Sequence, residues 1–303
     1  LPQDEPAVEV EAPAPVIVSP APQTPTEPVV AQVAPQPSAP APAPAREIRV
    51  NRLGVSASDT ADSTDTENAL DTVETDAPQT ALHRYGTAFE NANDVAMLSV
   101  LLIDDGQNGD MAARIAGLGM PVTVVLRALD PNAPDLMAAY QSAGVEVAIQ
   151  TSLPAGAVPT DIEVAFEAVF GLLPQAAILY ADGTGVLKNN RAATAQVMQV
   201  LAADGRGLIT AQRGLSGALR AAEDAGVLAA AVMRDLDHGG ETESAIVRGL
   251  DQAALRARQT GNVVLLGRAQ DTTLAALATW AQSVNQSQLA LAPVSAVLLA
   301  TKP

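Results

Sequence analysis

The chain has 303 residues, a formal net charge of −17 and no cysteine. The acidic balance, with no cluster of lysine and arginine, argues against a nucleic-acid partner. The lack of cysteine excludes disulfides, thiolate zinc sites and cysteine nucleophiles. The sequence has no run of about 18 apolar residues, so it contains no transmembrane segment of the usual length.

The N-terminal part differs in composition from the rest. Residues 1–45 form a Pro/Ala-rich segment with 13 of the 22 prolines, and residues 46–93 form an acidic, polar connector. Such sequence cannot bury enough apolar surface to offset the entropy lost on ordering. We therefore expect a disordered tether followed by a flexible connector. The chain starts at Leu1 rather than methionine, and we expect a removed signal peptide or an anchor ahead of it.

From residue 94 to residue 303, short apolar segments alternate with helical ones. Eight segments have the composition of buried strands: 96–103, 122–126, 145–149, 176–180, 207–210, 228–233, 262–266 and 289–299. Seven segments have helical patterns: 108–118, 133–143, 160–172, 190–204, 214–225, 241–260 and 271–285. Unbroken apolar strands between helices indicate a parallel sheet covered on both faces. The sequence thus predicts an α/β fold, a distorted or incomplete (β/α) barrel of seven to eight units, with an open doubly wound sheet as the alternative.

Polar side chains follow almost every predicted strand. The residues at these places are Asp104, Asp105, Arg127, Gln150, Asp182, Gln212, Arg213, Arg234, Asp235, Asp237, His238, Arg268 and Ser295. In both architectures the loops after the strands lie on one face, so these side chains can converge on one pocket. The adjacent acids Asp104 and Asp105 repel each other. They indicate either a site that uses both carboxylates or an ordinary strand end that meets water and starts a helix.

Three other residues have simpler interpretations. Trp280 lies on a predicted helix at core spacing from Leu277, which favours packing over carbohydrate stacking. His238 fits an exposed loop, and Lys188 lies next to asparagines that can cap the following helix.

Five segments, in this order, resemble the landmarks of the divergent polysaccharide deacetylase family, an envelope branch of the NodB-like carbohydrate-esterase deacetylases. The segments are LLIDDG, GVEVAIQTSLP, RDLD, VVLLGRAQDTTLAALATW and LAPVSAVL. The resemblance covers about residues 96–300 and implies a distorted (β/α) barrel. It also implies a role in carbohydrate metabolism in the periplasm or cell envelope, with envelope polysaccharide or peptidoglycan as partner.

The resemblance also implies a chemistry. Active polysaccharide deacetylases hold a divalent metal with one aspartate and two histidines, while a second aspartate acts as general base. On that pattern Asp104 is the catalytic base and Asp105 a metal ligand. The base deprotonates a metal-bound water that attacks the acetyl carbonyl, and the metal stabilises the oxyanion. The other residues implied to line the cleft are Arg127, Gln150, Asp182, Arg234, Asp235, Asp237 and Arg268.

The sequence departs from this family at the histidines. At the places where members usually carry histidine it has Val145, Gln150, Asp182 and Arg268. The whole chain contains only His83 and His238, so an imidazole-rich zinc site cannot form. Three arrangements remain open: internal Asp–Arg ion pairs without metal, carboxylates around Mg²⁺, Ca²⁺ or Mn²⁺, and a working deacetylase site.

Two functions follow as alternatives. The first is a metal-dependent hydrolase that removes acetyl groups from envelope glycan. The second is a pseudoenzyme, a barrel that binds glycan or an envelope protein at the end of a flexible tether. Glycan binding without turnover would separate the second from the first.

Overall fold

The computed structural model describes residues 79–107, 109–153, 156–211, 216–285 and 287–301. The strands are β1 (Ala96–Ile103), β2 (Thr123–Arg127), β3 (Glu146–Gln150), β4 (Ile178–Ala181), β5 (Gly207–Thr210), β6 (Ala229–Asp235), β7 (Asn262–Arg268) and β8 (Leu289–Leu291). The helices are α1 (Ala81–Tyr85), α2 (Met111–Ala116), α3 (Ala133–Ser142), α4 (Pro159–Leu172), α5 (Val186–Asn189), α6 (Arg191–Asp204), α7 (Ser216–Asp224), α8 (Glu243–Thr260), α9 (Asp271–Ser283) and α10 (Val294–Ala300). The predicted tether 1–45, most of the predicted connector, and Gln212 and Arg213 lie outside the described residues.

Seven parallel strands close into a barrel. Each strand from β1 to β6 pairs with the next one along the chain, and β7 pairs back to β1. The short β8 adds to the beginning of β1, where Leu289 lies opposite Ala96. This topology confirms the predicted (β/α) barrel and rules out the open sheet.

The barrel has two apolar layers, because successive side chains of a strand point to opposite faces. On β1, Leu98, Val100 and Leu102 pack outward under the helices. Leu101 on the same strand belongs to a second cluster, the inner one, with Val125 and residues of the other strands. This alternation also decides which residues after each strand reach the barrel mouth.

The prediction of a strand over residues 289–299 is correct for the first three residues and wrong for the rest. β8 ends at Leu291, and after Pro293 the chain forms α10. Proline has no N–H for a strand ladder but fits just before a first helical turn. The apolar side of α10 then enters the inner cluster through Val294, Val297 and Leu298, so this helix closes the N-terminal end of the barrel.

A buried carboxylate fixes this helix in place. Glu146, 2% exposed, lies at the start of β3. Its Oε1 accepts hydrogen bonds from the Thr123 hydroxyl at 2.7 Å and from the Ser295 N–H at 3.1 Å. Its Oε2 accepts one from the Thr87 N–H at 3.1 Å. Three separate segments are thereby tied together at the closed end of the barrel.

The predicted connector 46–93 extends too far. Its last part, residues 79–93, includes α1, whose Ala81 and Leu82 are buried. Leu82 belongs to the inner cluster, and its N–H donates to the Gly205 carbonyl. These residues therefore belong to the barrel domain. Among the described residues no helix is long and apolar enough to cross a membrane.

Candidate functional site

The C-terminal ends of the barrel strands surround a cleft of about 970 Å³. Strand register brings polar residues together at its rim: Arg127 lies opposite Gln150, and Arg268 lies opposite Ile103. Seven of the nine predicted site residues line the cleft: Asp105, Arg127, Gln150, Asp182, Arg234, Asp235 and Arg268. Asp104 and Asp237 are not among the lining residues.

The two adjacent acids point in opposite directions. Asp105 continues the inward-facing positions of β1 and lines the cleft. Asp104 is 3% exposed and accepts hydrogen bonds from the Tyr140 hydroxyl at 2.7 Å and the Gly106 N–H at 3.0 Å. Burial, followed by the bond to Asp104, raises the pKa of Tyr140 well above its usual range. Tyr140 therefore stays a hydroxyl donor to Asp104, and the general-base role implied for Asp104 has no contact with the cleft to support it.

On one side of the cleft, each carboxylate has its own partner. Arg127 Nη2 lies 2.7 Å from Asp105 Oδ1, and both side chains are more than half exposed. Such exposed pairs contribute little to stability and weaken with salt. Gln150 donates to Asp182 at 2.7 Å, and the other Asp182 oxygen accepts from the N–H and hydroxyl of Thr184.

Arg268 joins two aspartates on the other side of the cleft. Its guanidinium donates two hydrogen bonds to Asp235, at 2.6 and 3.0 Å, and one to Asp237 at 2.5 Å. The bonds to Asp235 are the main reason that the pKa of Arg268 is raised above its usual value. Fork-shaped contacts of this kind are among the stronger ion pairs in proteins.

Asp237 is the buried member of this group. Its side chain is fully buried, whereas the Asp235 side chain is 27% exposed. Besides Arg268 Nη1, Asp237 accepts bonds from the Arg268 backbone N–H at 2.8 Å and from the Thr273 hydroxyl at 2.5 Å. Gln270 donates to it as well, at 3.2 Å. Asp237 therefore binds the Arg268 guanidinium from the buried side of the cleft wall and does not face a ligand. Near Asp235, His238 is 81% exposed, as predicted for a loop residue, with Nδ1 3.6 Å from Asp235 Oδ2.

The sequence interpretation missed three polar residues that line the cleft: Tyr180, Gln252 and Arg256. Tyr180 precedes Asp182 by two positions, so strand alternation could have placed it on the same face. Burial, then the charges of Asp182 and Asp235, raise its pKa to about 12, so it stays protonated at neutral pH. Gln252 and Arg256 lie on α8, and no strand-end signal marks them.

Comparison with known families identifies the chain. A family model described as divergent polysaccharide deacetylase matches residues 101–298, about two thirds of the sequence. The chain belongs to the divergent polysaccharide deacetylase family. The family resemblance noted in the sequence is thus confirmed. A search of curated proteins gives no match.

The chain is also similar to solved structures. An uncharacterized protein from Agrobacterium tumefaciens C58 has a TM-score of 0.60 at 18% identity, covering 72% of this chain and 95% of that one. The catalytic domain of a peptidoglycan N-acetylglucosamine deacetylase from Eubacterium rectale ATCC 33656 has a TM-score of 0.42 at 13% identity, covering 66% and 90%. At 18% identity the likeness to the Agrobacterium protein concerns the fold alone.

The residues present do not fit the divalent metal that the family implies. Within the described ranges no three His, Asp or Glu side chains are close enough to share an ion. Asp105 is paired with Arg127, and Asp235 with Arg268. A guanidinium keeps its positive charge and repels a cation, so Arg268 opposes a metal where the family usually has histidine. Internal Asp–Arg pairs, one of the three arrangements that the sequence left open, are present in this cleft.

Proposed function

We propose that this chain binds acetylated polysaccharide in the cleft at its barrel mouth and does not hydrolyse it by the metal-dependent route of the wider family. We place this activity in the periplasm or cell envelope, with envelope polysaccharide or peptidoglycan as the partner. The observation that carries the proposal is the Arg268 guanidinium bound to both Asp235 and Asp237.

The cleft has the size and lining that a sugar chain needs. Its volume of about 970 Å³ is at the upper end of the usual range for small-molecule sites. Apolar lining from Ile103, Val232 and Leu266 lies beside amide, carboxylate and guanidinium groups. Amides and carboxylates such as Gln150 and Asp182 can exchange hydrogen bonds with sugar hydroxyls.

The same lining is poorly suited to hydrolysis. The general base that the family pattern assigns, Asp104, is buried under Tyr140 instead of facing the cleft. Asp105, assigned as a metal ligand, has an arginine as its nearest charged partner. Since the assigned base is turned away from the cleft and the assigned metal ligand is paired with an arginine, binding is the chemistry that these residues support.

The test measures binding and turnover on the same samples. The protein is incubated with acetylated chitooligosaccharide and with acetylated peptidoglycan fragments, in turn with Zn²⁺, Mn²⁺, Co²⁺, Mg²⁺ and Ca²⁺. We expect calorimetry to detect glycan binding and an acetate assay to detect no release with any ion. Gln150→Ala and Asp182→Ala should each weaken binding roughly fivefold, because each removes one hydrogen-bonding group.

Arg248→Ala is the matched control, since Arg248 is exposed on α8 and does not line the cleft. It should bind like the unaltered protein. Acetate release that requires a metal and disappears in Asp105→Ala would contradict the proposal. The proposal would also be contradicted if none of the tested glycans bound to the protein.

A further inference from the structure

The charged groups that line the cleft are distributed unevenly. The lining contains four arginines, Arg127, Arg234, Arg256 and Arg268, and three aspartates, Asp105, Asp182 and Asp235. Two arginines are used by Asp105 and Asp235, while Asp182 is bound by Gln150 and Thr184.

Among the residues that the structure describes, Arg234 and Arg256 have no acidic partner. Both side chains are exposed, and neither forms an ion pair with another residue of the described part of the chain. Two uncompensated positive charges at one side of a cleft contrast with the net charge of −17 on the whole chain. The positive charge is therefore a local feature of this side of the cleft.

A bulge in β6 exposes Arg234. Val232 lies opposite Val264 on β7, but Arg234 lies opposite Leu265, so Met233 is the extra residue. Bulges of this type redirect side chains and often lie next to binding sites. The cleft accordingly extends past β6 to α8.

Gly249 on α8 makes room for the guanidinium. A Cβ atom at Gly249 would lie 3.3 Å from Arg234 Nη1, closer than an ordinary contact. Gln252 and Arg256 follow at positions three and seven further along the helix, which places them on the same helix face as Gly249. The three side chains of Arg234, Gln252 and Arg256 form what we call the arginine flank.

We propose that the arginine flank binds carboxylate groups of an acidic glycan, so that the sugar chain in the cleft is an anionic polysaccharide. This inference rests on the proposed function, which places a glycan there. A guanidinium presents parallel N–H donors that match the two oxygens of a carboxylate, and the Gln252 amide adds a further donor. Since neither arginine of the flank is paired with an acid of the described residues, the anion meets these donors directly. The positive charge of these two arginines at one side of the cleft also attracts an anion that the acidic chain otherwise repels.

The test compares two oligosaccharides of equal length, a galacturonic acid hexamer and a neutral N-acetylglucosamine hexamer. We expect the acidic hexamer to bind more tightly, and its affinity to fall as salt concentration rises. Arg234→Gln and Arg256→Gln should each weaken its binding roughly tenfold, since each removes charge-assisted hydrogen bonds. Binding of the neutral hexamer should change less than twofold in both variants.

Two further variants sharpen the result. Arg248→Gln removes an exposed arginine from the same helix but outside the cleft, and it should leave both affinities unchanged. Gly249→Ala adds a methyl group against the Arg234 guanidinium and should weaken only the acidic hexamer. Retained folding of all variants is checked by thermal unfolding.

The outcomes separate the two proposals. If the neutral hexamer binds as well as the acidic one and the arginine variants change nothing, the anionic preference is wrong while the proposed function stands. If neither hexamer nor acetylated peptidoglycan binds, the proposed function itself fails. An equal loss in Arg248→Gln would overturn the assignment to the arginine flank, because it would show a general charge effect.

Discussion

Replacing Arg268 by alanine is expected to lower the free energy of unfolding by about 3 kcal/mol, because it leaves a buried carboxylate without its cation. Asp237 is fully buried and loses its charged partner, while Asp235 loses two hydrogen bonds. The loss is at the lower end of the range for broken buried pairs, since Asp237 keeps the Thr273 hydroxyl and a backbone N–H. Urea denaturation measures the change in the free energy of unfolding. The midpoint temperature of thermal unfolding should fall by roughly 6–12 °C.

Arg248→Ala serves as the control for this prediction, because it removes the same side chain from an exposed position without an ion pair in the described ranges. It should change stability by about 0.5 kcal/mol or less. A double variant, Arg268→Ala with Asp237→Ala, should recover part of the lost stability, since it also removes the orphaned charge. Equal stability of Arg268→Ala and the unaltered protein would show that Arg268 does not hold the two aspartates.

Replacing Glu146 by alanine is expected to destabilise the barrel by about 3–5 kcal/mol, because buried donors are left without an acceptor. The variant orphans the Thr123 hydroxyl and the N–H groups of Ser295 and Thr87. Since Ser295 lies in the first turn of α10, the helix should also open more often. Urea denaturation gives the global loss of stability. Relative to the unaltered protein, hydrogen exchange should accelerate more in α10 than in β4.

The control for Glu146 is Glu167→Ala, an exposed glutamate on α4. It should leave both stability and hydrogen exchange nearly unchanged. If Glu146→Ala were as stable as this control, the carboxylate would not be what ties α10 to the barrel. Faster exchange spread evenly over the barrel would argue against a local role at its closed end.

The sequence predicted the barrel because its strands are unbroken apolar runs between helices with clear boundaries. Strands β1 and β5 match the predicted limits, and β2, β3, β4, β6 and β7 differ from them by one or two residues at an end. The failure at 289–299 has a physical cause, since short apolar runs fit a buried strand or a buried helix equally well. Pro293 was the available sign that the strand stops. The burial of Leu82 depends on contacts with distant segments, which local sequence does not reveal.

The site could be predicted only in part. Strand ends gave eight lining residues, His238 among them, but reading them without alternation grouped Asp104 with Asp105. Counting inward and outward positions from Leu101 would have separated them, because a strand changes face at every residue. Arg256 could not be found in this way. Its place in the cleft depends on the bulge at Met233 and on the packing of α8, neither of which leaves a signal in the sequence.

Anomalous diffraction can test directly whether the cleft aspartates bind Arg268 or a metal ion. Crystals are grown without chelator, soaked in excess Zn²⁺ or Mn²⁺, and analysed by anomalous diffraction. We predict no anomalous peak among Asp105, Asp182 and Asp235, with the Arg268 guanidinium still bound to Asp235 and Asp237. A peak coordinated by Asp105 or Asp235, with Arg268 displaced from the aspartates, would contradict the proposal.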